Sequence, residues 1–322
     1  MNPRFVVAKV TGAIGTLAFV LAFNFFLFRV VDDNPVDNLF RGRNLSPTQI
    51  ASLEERFGVG DPLALQFVKY VRQTLQGDLG LSIKSSRPVS DVIMDSLWPT
   101  VWLVGTATAL SMVIGTLLGI HAAWKRGTVT DSSATAFSMI TYSMPDFWMA
   151  MVLLAAFAIN LRWFPTGGFE DAGSTATGLS AFLDQAHHMA LPAITLTLGY
   201  IGEYMILMRA SMLDTVSEDY LQLARAKGLR DTEVRRRHAV PNALLPLVSL
   251  SALNFGYVLS GAIAVEAIYS WPGLGRATFN ALEGPDFPVL QGLFLLFSAS
   301  VIVANLLADL LNGYLDPRVR LS

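Results

Sequence analysis

The sequence has no cysteine among its 322 residues, which excludes disulfides, thiolate metal sites and a cysteine nucleophile in one step. It is also poor in charge, with 15% Asp, Glu, Lys and Arg against roughly 25% in an average soluble domain. Its formal net charge is -2, so no basic excess points to nucleic acid. A glycine-rich phosphate loop closed by Lys and Ser or Thr is missing, as are a His-Glu-x-x-His zinc pair and a Gly-x-Ser-x-Gly nucleophile elbow. A chain lacking all three is expected neither to hydrolyse ATP nor to bind a metal or cofactor of its own, and it reads as non-catalytic.

What it has instead is apolar surface. Hydrophobic residues make up 52% of the chain, more than a water-exposed fold can hide, so lipid must cover part of it. A helix crosses a bilayer core with about 20 predominantly apolar residues, because every backbone polar group must then be satisfied within the segment. Six stretches qualify, near residues 10–31, 97–124, 133–163, 189–212, 243–269 and 289–314. The expected fold class is all-α, a polytopic membrane protein of about six transmembrane helices. The first stretch exceeds the roughly 7 to 15 apolar residues of a signal peptide and lacks a small-x-small cleavage pattern, so it is expected to stay as an anchor.

Lys and Arg in short connections mark the cytoplasmic side. Arg4 and Lys9 precede the first stretch, Lys125 and Arg126 follow the second, Arg235, Arg236 and Arg237 follow the fourth, and Arg318 and Arg320 follow the sixth. An even count of spans puts them all on one face, with both termini in the cytoplasm of a bacterial inner membrane. Pro145 interrupts the third stretch and would split it into a hairpin. Splitting would move the Arg-rich loop outside, so one long, kinked helix is expected.

Residues 1–93 read as an N-terminal span with an external helical segment, and 94–322 as the main membrane domain. In the external part, Ser46-Pro47 opens one amphipathic helix closed by Gly58, and Asp61-Pro62 opens a second closed by Gly77. Residues 165–186 read as a further external loop.

The most informative stretch is the loop of residues 215–241. Thr215 and Glu218 have capping-box spacing, which predicts a short helix running to Lys227. Gly228 ends it in the left-handed conformation that only glycine adopts without penalty. Asp231 is expected to cap a second short helix carrying the three arginines, and Pro241 to redirect the chain into the fifth span. Ala224 and Ala226 are small enough to let another protein approach closely. A basic loop obeying the positive-inside rule is the plain alternative.

This loop resembles the EAA motif of ABC importer permeases, which forms a coupling helix docked on the ATPase subunit. Gln222, Leu223 and Ala224 stand at the Glu-Ala-Ala positions, Gly228 at the glycine, and His238, Val240 and Pro241 at the closing positions. The form Ala224-Arg225-Ala226-Lys227-Gly228-Leu229, with Asn242 to Pro246 after a basic run, is similar to the peptide and nickel branch of that family. Gly77-Asp78-Leu79-Gly80, Trp163-Phe164-Pro165-Thr166-Gly167-Gly168, Ser270-Trp271-Pro272-Gly273-Leu274-Gly275, Asp286-Phe287-Pro288 and Leu315-Asp316-Pro317-Arg318 look like other segments of the same branch. The resemblance implies the type I ABC importer permease fold and half of a translocation pathway for di- or oligopeptides. It further implies a second homologous permease, one or two cytoplasmic ATPase subunits that bind ATP and Mg, and a periplasmic or extracellular binding protein meeting the outer loops near Gly77 and Trp271. Nickel chelates, glutathione and sugars are alternative cargoes. A secondary carrier or channel is the rival class, with no use for the glycine elbow; a membrane-embedded hydrolase would need a nucleophile and base that are not evident.

A charge near the membrane interior costs at least about 2.5 kcal/mol on insertion scales, so Glu203, Glu266 and Asp309 are candidates for the pathway or its gate, with Arg209 and Asp146 also notable. The competing reading is an interhelical pair, Glu203 with Arg209 for example. Gly115-x-x-x-Gly119 and Gly12-x-x-Gly15 permit close helix approach within the bundle. The neighbouring His187 and His188 point different ways on a helix, and the end of an external loop is the preferred reading over a metal site.

Overall fold

A computed structural model describes residues 3–29, 61–259 and 262–315. The expected helix over 46–58 and the C-terminal Asp316-Pro317-Arg318 segment lie outside the described residues. Within them the chain is helical, with no strand and one isolated bridge between Leu81 and Pro88.

Helix α1 spans Pro3–Arg29 and α2 spans Leu63–Leu75. Then come α3 at Val89–Trp124, α4 at Val129–Ser143 and α5 at Asp146–Leu153, which runs on as a π-helical turn over Leu154–Asn160. The long α6 covers Leu179–Val216, followed by the short α7 at Asp219–Ala226 and α8 at Asp231–Val234. A π turn over Arg235–Ala239 leads to α9 at Val240–Ala243, α10 at Leu245–Val258, α11 at Ile263–Ile268, α12 at Leu274–Glu283 and α13 at Phe287–Leu315. Four described helices, α1, α3, α6 and α13, are long and apolar enough to cross a membrane alone. The α4–α5 pair adds a fifth span if counted as one.

The centre of the bundle is the seam between α3 and α6, its most extensive helix contact. A Cβ at Gly115 would lie 2.7 Å from the Ile201 carbonyl oxygen and from Tyr204 Cβ, and one at Gly119 2.7 Å from the Met205 carbonyl oxygen and Met208 Cβ. Only glycine fits there. Just above, Ser111 Oγ donates to the Thr197 carbonyl at 3.1 Å. Because 111 meets 197, 115 meets 201 and 119 meets 205, the two helices run in the same direction. The connecting chain must therefore traverse the bundle once, and α4 with α5 makes that traverse. This resolves the doubt at Pro145: the pair is one crossing bent by 102°, far sharper than a simple proline kink. Pro145 N-caps α5 in extended backbone, the conformation that its ring favours and that stops α4.

Over the expected fifth span the described residues form α10 and the short α11, with residues 260–261 between them outside the described residues. By contrast α1 and α13 pack antiparallel: Lys9 pairs with Asp309 at 2.9 Å near one end, and Asn24 donates to the Gln291 carbonyl at 3.1 Å towards the other. A Cβ added at Gly12 or Gly15 would meet nothing within 4 Å, so the close approach expected there is not made among the described residues. The second external helix forms as expected, with Gly77 at φ +80° beyond its end, and packs Phe67 and Tyr70 on Phe25 of α1.

The motifs scattered along the sequence converge at the end of the bundle opposite the Arg-rich loop. The buried Asp286 carboxylate accepts from Ser82 Oγ at 2.6 Å and from the Ile83 and Lys84 amides at 3.1 Å, tying the segment after α2 to the start of α13. Glu266 accepts from Thr100 Oγ1 at 3.0 Å and from the Arg276 amide at 3.1 Å. Trp271 Nε1 donates to the Pro99 carbonyl at 2.9 Å, and the Gly168 amide to the Tyr269 carbonyl at 2.9 Å. Trp271 is completely buried, so it pins this end together rather than facing a partner; residues 76–78 and 84–88 are exposed.

Overpacking a tight helix contact costs about 1–3 kcal/mol. Gly119→Val should therefore lower the thermal unfolding temperature of the purified protein, whereas Gly12→Val should leave it unchanged.

Candidate functional site

The Arg-rich end of the bundle carries the elbow. Helix α6 continues to Val216, one turn further than expected, so the capping box does not form: Thr215 Oγ1 instead donates to the Ser211 carbonyl at 2.8 Å. Ser217 ends α6, and Glu218, in extended backbone, opens α7 without a side-chain cap. The propensity signal in Thr-x-x-Glu lost to the longer run of buried apolar positions that carries α6 onward. Gly228 behaves as expected. At φ +81° it takes the left-handed turn, its amide reaching the Arg225 carbonyl at 2.9 Å and the next amide reaching Ala224 at 3.4 Å, which satisfies carbonyls left open at the helix end.

One face of α7 is locked down. Leu221 and Ala224 are buried in the same core as Tyr204, Met208 and Met212 of α6, Ala123 of α3 and Leu247 of α10. Ala224 therefore faces inward, not outward to a partner as expected. Gln222, Leu223, Arg225, Ala226, Lys227 and Gly228 are exposed, and Leu229 is half-buried against the core. Leu223 is 57% exposed, with Tyr220 beside it at 39%. An apolar tip flanked by basic residues is the surface that the elbow offers.

Trp124, at the end of α3, organises the elbow, a role its sequence position did not signal. Its Nε1 donates to Asp231 Oδ2 at 2.9 Å. Arg225 and Arg235 each place a guanidinium 5.8 Å from its ring centroid, and Arg225 approaches Asp231 at 3.5 Å. Asp231 is thus not the expected cap; Arg230 holds that position, and Asp231 joins α3, α7 and α8 through Trp124 and Arg225. Beyond it the π turn absorbs one extra residue ahead of Pro241, which has no amide to donate. His238 is half-buried, its carbonyl accepting from Asn242 Nδ2 at 2.7 Å, and Pro241 is exposed. Ser211 Oγ donates to the Ala243 carbonyl at 2.8 Å, fixing this return strap to α6.

The intramembrane charges are sorted by the structure in ways that the sequence left open. Arg209 does not pair with Glu203. It makes a bidentate bridge with the buried Asp131 at the start of α4, at 2.7 and 2.9 Å, and Asp131 also accepts from the Gly127 amide at 3.0 Å. Asp309 sits in its bridge to Lys9, both about two-fifths exposed. Glu266 has no exposed surface and serves the turn before α12, where a Cβ on Gly273 would fall 2.3 Å from its Oε2. Glu203 is half-buried and borders a cavity with Asn254. His187 and His188 lie on α6 itself, not at a loop end. His188 is buried, with Nδ1 3.1 Å from Asp184 and Nε2 3.7 Å from Asp171. Those three residues are the group among the described ones whose spacing could accept a metal ion.

Residues 115–321 match the family described as binding-protein-dependent transport system inner membrane component, and residues 2–104 match its N-terminal family. A protein of Brucella ovis named as a peptide permease is 34% identical over 322 residues, covering 99% of both chains. The glutathione transport system permease protein GsiC of Escherichia coli K12 is 34% identical over 317 residues, covering 98% of this chain and 99% of that one. A chain of the MetNI methionine ABC transporter superposes with a TM-score of 0.54 at 16% identity, over 70% of this chain and 96% of that one, a likeness of fold.

Orphaning one partner of a buried ion pair costs about 3–5 kcal/mol. Asp131→Asn should destabilise the protein by about the lower of those values because Arg209 is partly exposed. Adding Arg209→Met to it should restore part of the loss, as thermal unfolding of the three variants will show.

Proposed function

The chain belongs to the family of binding-protein-dependent transport system inner membrane components, the permeases of ABC importers, and we propose on that premise that it forms one half of an ATP-driven pathway for small peptides. Relatives named for peptides and for glutathione, itself a tripeptide, cover essentially the whole chain at the same identity, which supports a peptide cargo. The second half of the pathway is a homologous permease. Both termini and the elbow face the cytoplasm, the side indicated by the distribution of Lys and Arg.

The observation that carries this reading is the two-sided construction of α7. Its inner face is embedded in the bundle core and its outer face, Gln222, Leu223 and Lys227 around the Gly228 turn, is exposed. A partner bound to that outer face has a rigid handle on α3, α6 and α10. ATP binding to cytoplasmic ATPase subunits closes them, displaces the two elbows, and biases a two-state bundle towards its outward-open form. At the far end, a groove of about 370 Å³ bordered by Lys84, Arg87, Arg276 and Asn280 is the docking region for an external binding protein. Residues 84–88, rather than the buried Trp271, present it.

Two measurements test this reading. Gly228→Asp should abolish ATP-driven peptide uptake while the complex still inserts in the membrane, because aspartate at φ +81° strains the turn; undiminished uptake would contradict the role of the elbow. The native sequence has no cysteine, so Leu223→Cys is a unique label, and it should cross-link to an ATPase subunit and react only with reagents that reach the cytoplasm.

A further inference from the structure

The geometry points to a cation subsite inside the membrane, in which Glu203 receives the terminal ammonium group of the transported peptide. The inference rests on the importer reading above and names the chemistry that one part of its pathway recognises.

A cavity of about 240 Å³ opens where the middles of α3 and α6 meet the C-terminal end of α10. Glu203, Asn254, Tyr200 and Tyr257 line it together with Val104 and Thr108. Glu203 Oε2 accepts from Asn254 Nδ2 at 3.3 Å, and the same amide group lies 3.2 Å from the Tyr204 hydroxyl. The carboxylate is thus aimed by a neutral donor, and its other oxygen has no hydrogen-bond partner among the described residues.

Charges within a bundle are normally paired or capped, and three other acids of the bundle obey that rule. Asp131 has Arg209, Asp309 has Lys9, and Glu266 has a hydroxyl and backbone amides. Glu203 has no cation within 4.0 Å among the described residues. Asp146 adds to the same negative region: its Oδ1 lies 2.6 Å from the position of a Cβ at Gly199, one helical turn before Glu203 on the same face of α6. Tyr200 is within electrostatic reach of both carboxylates. An acidic recess with aromatic walls attracts an ammonium group, which gains from the carboxylate and from the ring faces together.

The size of the recess decides what enters it. It is smaller than the roughly 300–1,000 Å³ of sites that enclose a whole ligand, so it holds one end of a peptide, leaving the rest in the space that Tyr257, 56% exposed, faces outside the chain. A recess that reads the ammonium and ignores the side chains beyond the first residue suits a carrier whose selection is made elsewhere.

The test uses the assembled complex of both permeases, ATPase subunits and binding protein in proteoliposomes, with a mixture of radiolabelled di-, tri- and penta-alanine as probe. Glu203→Gln keeps the bond to Asn254 and removes the charge. It should cut uptake about tenfold, the scale of one lost charge-assisted hydrogen bond, while ATP hydrolysis stimulated by loaded binding protein stays within about twofold of wild type. Glu203→Asp should retain most uptake, and Tyr257→Leu, at an exposed position that folding tolerates, should lose uptake severalfold with hydrolysis intact. Wild-type uptake in either Glu203→Gln or Tyr257→Leu would overturn the subsite and leave the importer reading standing. Joint loss of uptake and stimulated hydrolysis in Glu203→Gln would also overturn it, by assigning the carboxylate to assembly or to a cation of the partner permease. A wild-type complex that hydrolyses ATP but accumulates none of the three peptides would instead remove the peptide reading on which the subsite rests.

Discussion

The backbone contact between α3 and α6 is the constraint on which the rest of the structure depends. Two glycines one turn apart let the helices approach until carbonyl oxygens and Cβ atoms of α6 occupy the space where side chains of α3 would stand. In a bilayer, where lipid is as apolar as leucine, such close packing is a principal source of helix association. Once the seam is set, Trp124 at the end of α3 is carried to the elbow, Thr100 and Pro99 at its other end to the turn before α12, and Glu203 to the cavity facing α10. Three regions along the length of the bundle thus share one register.

The elbow acquires its stiffness from the same source. A helix of eight residues is too short to be stable alone, so its order comes from Leu221 and Ala224 in the bundle core and from the Trp124–Arg225–Asp231 contacts at its rim. Cation–π and ion-pair contacts of this exposure contribute on the order of 0.5–1 kcal/mol each, modest beside the burial of a leucine at about 1.5–3 kcal/mol. The apolar face holds the helix and the polar rim sets its angle. Forces applied to Leu223 and Lys227 are therefore delivered to α6, the helix that also bears Glu203.

Much of this was legible in the sequence, and what was not has physical reasons. Long apolar runs identify α1, α3, α6 and α13 because a bilayer demands them. Gly228 and Gly77 announce their turns because a left-handed backbone selects glycine. The expectation at Thr215 failed because a four-residue capping signal is local, while the burial of Met208 and Met212 that extends α6 is tertiary. Partner identities of buried charges were not readable at all: Arg209 lies six positions from Glu203 in the sequence and yet meets Asp131, since α4 folds back across α6. The ring nitrogens of Trp124 and Trp271 found Asp231 and the Pro99 carbonyl only once the chain had folded, more than a hundred positions away in sequence. The break at Pro145 was visible, but the direction of the chain beyond it became fixed only through the parallel course of α3 and α6.

The elbow and the bundle helices beneath it are expected to move as one body when nucleotide binds. Spin labels at Leu223→Cys and Leu117→Cys, on α7 and on the exposed face of α3, report their separation in the assembled complex with and without ATP. This distance should stay within about 2 Å, the scale of adjustments inside a packed unit, while the distance between the two Leu223 equivalents across the permease pair shortens. A separation between 223 and 117 that changes with nucleotide while the bundle stays fixed would contradict it.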